Sequence, residues 1–155
     1  MIPLAILIVG AETVLPLRWS VLRPGRPIEK ARFSGDADRT TWHFAAYLPS
    51  GEVAGVASYF LDTYPPLGPS QPMYRLRGMA THPAYQRKMG IGRKLLTESL
   101  HFLQQRQVAL VWCYARLEAV PFYAKLGFVH WEPAGIIEIP DVGPHEVWYY
   151  PLAKG

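Results

Sequence analysis

The feature that most constrains this chain is a change of hydrophobic period in its second half. From Gly90 onward Ile91, Leu95, Leu96, Leu100 and Leu103 recur at steps of three and four, the stripe of a helix with one buried face, running to about Gln105. Lys94 and Glu98 add an i,i+4 pair on its outer side. Val108–Tyr114 then forms an apolar run without polar alternation, as expected of a strand covered on both faces. Such a strand needs helices on the sheet, which points to an α/β domain with a mixed sheet. The length of 155 residues predicts one domain spanning 1–155, large enough for a core that needs no staples.

The remaining elements follow from local pattern. Leu4–Val9 reads as a buried strand and residues 11–22 as a helix that Pro16 weakens. Residues 42–48 and 52–60 form a hairpin across Pro49-Ser50-Gly51, and 73–81 gives a further strand. Residues 116–126 read as a last helix stopped by Gly127, 128–131 as a strand, and 146–150 as the final strand. Proline and glycine gather at 24–35, 65–72 and 133–144, the expected long loops.

Composition narrows the function classes. A single cysteine, Cys113, excludes a disulfide framework within the chain and a zinc site built on several thiolates. The longest apolar run, Met1 to Val9, is too short to cross a bilayer. It has neither a basic start nor a small-residue cleavage site, so no signal peptide is expected and the expected location is cytoplasmic. A net charge of +4 suits an anionic partner. The acidic residues are spread through the chain, so nucleic acid is not the expected partner, nor is a membrane.

The segment Tyr85-Gln86-Arg87-Lys88-Met89-Gly90-Ile91-Gly92-Arg93 lies between a strand and a helix. Gly90 and Gly92 permit positive φ and close approach to a ligand. The helix start offers amides and a positive dipole end, and Gln86, Arg87, Lys88 and Arg93 add donors and charge. A phosphate or pyrophosphate is the expected ligand. Neither a Walker A loop nor a dinucleotide fingerprint is present, since Gly-Lys-Ser/Thr is missing and Leu95 stands where a third glycine would be.

Arg77-Gly-Met-Ala-Thr-His-Pro83, Arg87-x-x-Gly90-x-Gly92 and Phe122-Tyr123-x-x-x-Gly127-Phe128 occur in that order. This ordered set, across 74–132, resembles the GCN5-related N-acetyltransferase (GNAT) superfamily. Leu17-Arg18-x-x-Val21-Leu22-Arg23-Pro24-Gly25 and Gly143-Pro144-His145 look like a poorly characterised bacterial subgroup of it. The resemblance implies a six- to seven-stranded mixed sheet with about four helices and a splayed central strand pair. It implies acyl transfer from acetyl-CoA to a small-molecule or peptide amine by direct attack, with the protein a monomer or homodimer. A CoA-binding sensor of the same fold, without turnover, is the alternative.

Carried onto this chain, the resemblance implies that Met79, Ala80 and Thr81 pair with the pantetheine arm. It implies that Gln86, Arg87, Lys88, Met89, Gly90, Ile91, Gly92 and Arg93 hold the diphosphate, and that Tyr123 protonates the departing thiolate. Two positions depart from the family. Pro83 to Gly90 is one residue longer than usual, so Gln86 and Arg87 compete for the first anion-binding place. Arg116 stands where an asparagine is common at the start of the last helix.

The general base stays open among Glu52, His43 and His145, with His43 reading foremost as a core histidine. Cys113, inside an apolar strand, reads as a small hydrophobe rather than a nucleophile. His82 sits at the mouth of the loop, toward cofactor or solvent. Arg23, Arg26, Lys30 and Arg32 form a basic cluster that reads as a solvated loop before it reads as a handle for an acidic acceptor.

Overall fold

The computed structural model describes residues 3–68, 71–86 and 89–152. The chain forms two compact units: residues 1–60 with 76–102, and residues 61–75 with 103–155.

In the first unit β1 (Ala5–Val9), β2 (Trp42–Tyr47) and β3 (Val53–Leu61) pair antiparallel in sequence order. The last part of β4 (Met73–Thr81) lies next to β3 in the strand order. α1 (Ala11–Leu22) runs through Pro16 without breaking. A proline inside a helix costs about 3 kcal/mol. Val14, Leu15 and Leu17 of the same helix are buried, each worth about 1.5–3 kcal/mol, so packing outweighs the lost hydrogen bond. Val14 and Leu17 meet Ala45, Val56 and Ala80 in one core cluster. α2 (Ile91–Gln105) buries the expected Ile91, Leu95, Leu96, Leu100 and Leu103. It also lies close to β3, since a Cβ on Gly55 would stand 2.9 Å from Ile91 Cγ2.

In the second unit the first part of β4 runs parallel to β5 (Leu110–Arg116), in register from Met73↔Leu110 to Arg75↔Trp112. β8 (Gly143–Pro151) pairs antiparallel with β5 along its whole length, and β6 (Val129–His130) and β7 (Ile137–Ile139) pair with β8. α3 (Val120–Leu126) ends at Gly127, whose φ of +107° is the left-handed stop. The Gly127 and Phe128 amides donate to the Ala124 and Tyr123 carbonyls, closing the last turn.

The fold class is the expected mixed α/β, with eight strands and three α-helices among the described residues rather than six to seven and about four. Three local expectations are corrected. Leu4–Val9, expected as a buried strand, forms β1 at the end of the strand order with Leu7 and Ile8 about half exposed, because β2 is its one neighbour there. The stretch 133–144 contains β7, because antiparallel pairing to β8 stabilises three residues whose local sequence signals a loop. Arg116 closes β5 opposite His145 instead of opening the last helix. That helix begins only at Val120, with Pro121 in its first turn, where a missing amide hydrogen costs nothing.

Candidate active site

The start of α2 is built as an anion would need it. Gly90 has φ +61°, and among the described residues no atom lies within 4 Å of the place a Cβ would take. Its carbonyl accepts the first helical hydrogen bond from Lys94 N–H at 3.0 Å. The amides of Ile91, Gly92 and Arg93 therefore fall in the turn that has no intrahelical acceptor, at the positive end of the dipole. The Ile91 side chain is buried, so it contributes through its backbone. Arg93 is exposed, Met89 and Gly92 half-buried, and Arg87 and Lys88 lie outside the described residues. An open glycine face beside helix-start amides fits a diphosphate.

Upstream, the loop is tied to the β2–β3 hairpin. Tyr85 Oη donates to Glu52 Oε1 at 2.6 Å, and this bond is the main cause holding the phenol above its ordinary pKa. His82 Nδ1 accepts from the Ala84 amide, so Nε2 carries the proton and stands 3.7 Å from Glu52 Oε2. Gln86 Nε2 donates to the Thr81 carbonyl at 3.0 Å, so its amide is already engaged by β4.

β4 itself carries a feature the strand pattern concealed. Gly78 has φ +69°, and a Cβ there would lie 2.8 Å from Arg18 Nε and 3.0 Å from Phe33 Cε2. Only glycine meets both demands. A glycine inside a strand pattern is the signal that could have marked it. The side chain of Ala80 is buried in the α1 cluster, while Met79 and Thr81 are half-buried.

His43 is a core histidine. Its Nε2 lies 2.9 Å from the Asp36 carbonyl, which can only accept, so Nδ1 accepts from Ser58 Oγ at 2.6 Å. Ser58 Oγ in turn accepts from Arg18 Nη2 at 3.0 Å. Arg18 is 0% exposed, also donates to the Ala31 carbonyl, and pairs with Asp36 at 2.7 Å. Arg32, from the basic cluster, is engaged by Glu12 and Glu29.

In the second unit Tyr123 is buried and packs against Phe122 and Phe128, with centroids 5.3 and 5.1 Å away. Phe122 is only half-buried, so Tyr123 does more of the packing than its neighbour. His145 donates from Nδ1 to the Gly143 carbonyl at 2.8 Å, which leaves the lone pair on Nε2. Burial pushes the Cys113 thiol up to about 12, against the weaker pull of Arg75, so it is an unreactive core thiol at neutral pH. Among the described residues no group of His, Cys, Asp and Glu is arranged to hold a metal ion. No helix of the described residues is long and apolar enough to cross a membrane.

Comparison with known proteins shows the chain's family and fold. The profile of the acetyltransferase (GNAT) family matches residues 12–128. YitI of Bacillus subtilis, an uncharacterized N-acetyltransferase, is 33% identical over 145 residues, covering 93% of each chain. The ribosomal-protein-S18-alanine N-acetyltransferase of Escherichia coli superposes with a TM-score of 0.73 at 19% identity, covering 99% of this chain and 96% of its own. The GNAT family N-acetyltransferase YhbS of Escherichia coli, solved with CoA, gives 0.72 at 18% identity, covering 99% and 83%. With a family profile over most of its length and a relative matched nearly end to end, the chain belongs to the GNAT family of acetyl-CoA-dependent N-acetyltransferases.

Proposed function

We propose that this protein moves the acetyl group of acetyl-CoA to a primary amine by direct attack in a ternary complex, with the whole chain acting as one acetyltransferase domain. The observation that carries the reading is Gly90, left-handed and open-sided at the first turn of α2. The family profile spans parts of both compact units, which supports one functional domain.

When bound, acetyl-CoA supplies an activated acyl group as a thioester. The backbone amides of Ile91, Gly92 and Arg93 hold the diphosphate, with Arg87, Lys88 and Arg93 adding charge. The backbone of Met79, Ala80 and Thr81 receives the amide-rich arm as a strand edge receives a peptide. An amide at Met79 or Ala80 polarises the acyl carbonyl, and one preorganised donor of this kind is worth about 2.7–4 kcal/mol. Tyr123 gives its proton to the departing thiolate; an ordinary phenol near pKa 10 and a thiol near 8.5 are close enough for that transfer. His145, with Nδ1 held by a carbonyl and the lone pair on Nε2, takes the proton of the amine. Glu52 is used in fixing Tyr85, and His43 in the Arg18 network.

Calorimetric titration with CoA tests the binding half. Gly90→Asp or Gly92→Asp should abolish it by placing a carboxylate against the diphosphate, and unchanged affinity would refute the loop assignment. An amine panel read by free-thiol release tests the catalytic half. CoA binding with no turnover on any amine would identify a sensor. Tyr123→Phe should slow turnover while CoA affinity holds; equal loss of both would assign Tyr123 to binding.

A further inference from the structure

We propose that Arg75, with the rings of Tyr64, Trp112 and Tyr114, is the seat for a carboxylate on the amine acceptor, so that the preferred acceptor is a small amino-acid-like amine and not a polyamine. This rests on the acetyltransferase reading and narrows its acceptor.

Arg75 lies on β4 with its side chain 21% exposed. Its guanidinium carbon is 4.8 Å from the ring centre of Tyr114 and 5.4 Å from that of Trp112. Tyr64 lies 5.0 Å from Trp112, and Trp112 meets Tyr114 edge to face at 5.2 Å. The rings form a continuous aromatic wall under the cation, and Tyr64 and Tyr114 are only half-buried. Ligand sites commonly join such an apolar lining to one convergent charge.

The charge of Arg75 is incompletely answered. Its nearest carboxylate, Asp62, stands 3.9 Å from Nη1, too far for a hydrogen bond. Asp62 is held there by its backbone: its amide donates to the Met73 carbonyl, and its own carbonyl accepts from the Trp112 indole at 2.8 Å. Arg75 Nε is buried and has no partner among the described residues. Burial is the main influence on this guanidinium and lowers its pKa, against weaker attraction from Tyr114 and Asp62. With Nε buried out of reach, Nη1 and Nη2, for which no hydrogen bond is formed among the described residues, are the fork left to a planar carboxylate, which they can grip with two parallel hydrogen bonds. The rings would take the adjoining carbon skeleton. A polyamine would bring further positive charge to a cation already short of anions.

The test measures free-thiol release with acetyl-CoA and matched acceptors: an amino acid, its carboxamide, the corresponding dipeptide and a linear diamine. The acid should exceed its amide in kcat/KM by roughly 10- to 100-fold, the range of a charge-assisted hydrogen bond. Arg75→Gln should erase that ratio through KM, with a thermal midpoint lowered by no more than about 4 °C as the folding control. Arg75→Lys, which keeps charge but loses the fork, should fall between. Asp62→Asn should lower KM for the acid by removing a competing carboxylate, whereas a merely structural ion pair predicts no gain. The dipeptide separates a free amino acid from a peptide terminus as the source of the carboxylate. An amide or diamine that equals the acid, or an acid preference that survives Arg75→Gln, overturns the proposal. Titration with an N-acetylated amino acid needs no turnover, so it judges the seat even if no amine releases thiol and the acetyltransferase reading fails. Binding lost in Arg75→Gln supports the seat, and absence of binding to the unaltered protein refutes it.

Discussion

Arg18 and Arg75 are both arginines packed over aromatic rings, yet they serve opposite purposes. Arg18 lies 4.1 Å from the Phe33 ring centre, is fully buried, and spends its terminal nitrogens on Asp36, Ala31 and Ser58. Arg75 lies over Trp112 and Tyr114, keeps a fifth of its side chain exposed, and reaches its carboxylate only at 3.9 Å. A buried charge with both terminal nitrogens engaged is part of the scaffold, even though its Nε, like that of Arg75, has no partner among the described residues. A charge left short of partners at an aromatic surface is available to a ligand. Stacking alone does not separate the two; the terminal nitrogens do.

The contrast predicts a graded series of effects. Arg18→Ala should have the largest, about 3–5 kcal/mol, because it strands the Asp36 carboxylate and the Ser58–His43 pair in the core. Denaturant unfolding measures this, and a loss below 1 kcal/mol would break the comparison. Gly78→Val should come next, at about 1–3 kcal/mol for the left-handed backbone, with a further cost for pressing on Arg18 and Phe33. Its thermal midpoint should fall well below that of a Gly51→Ala control, whose added methyl meets open space although the backbone there is also left-handed.

Arg75→Ala should cost only about 0.5–1 kcal/mol of stability, the value of an accessible cation–π contact, while acceptor selectivity changes. At neutral pH the buried Cys113 thiol is uncharged, so Cys113→Ala costs only the packing and the small cavity left by the sulfur. Its thiol value of about 12 exceeds the ordinary value of 9.0, so the unfolded chain loses this proton first as pH rises. The thiol's contribution is whole below pH 9 and drains away between 9 and 12. Urea titrations at pH 7 and pH 10 should show a steeper alkaline loss in the parent than in Cys113→Ala. Equal slopes would mean the thiol is not buried as described.

Much of the fold was legible in the residues. The stripe of α2 follows from periodicity, because one face of the helix must leave water, and β4 keeps the bounds 73–81 expected for it. The glycines at 90 and 127 announced their turns because their backbones take conformations costly to other residues. Other features stayed hidden. β7 exists through pairing with β8, Arg116 ends a strand because its partner is His145, and α1 tolerates Pro16 through burial. At the candidate site, the loop and its helix start were readable. The tie between Tyr85 and Glu52 was not, since the two lie 33 residues apart.

The order of the elements apart from β7, the glycine-bearing helix start and the inert cysteine were determined by the sequence alone, since each depends on residues close together in the chain. Tertiary structure decided which charges are answered. Ion pairing depends on distances between residues far apart in sequence. Asp36 meets Arg18 across 18 residues and Asp62 halts 3.9 Å short of Arg75, and no local pattern encodes that difference.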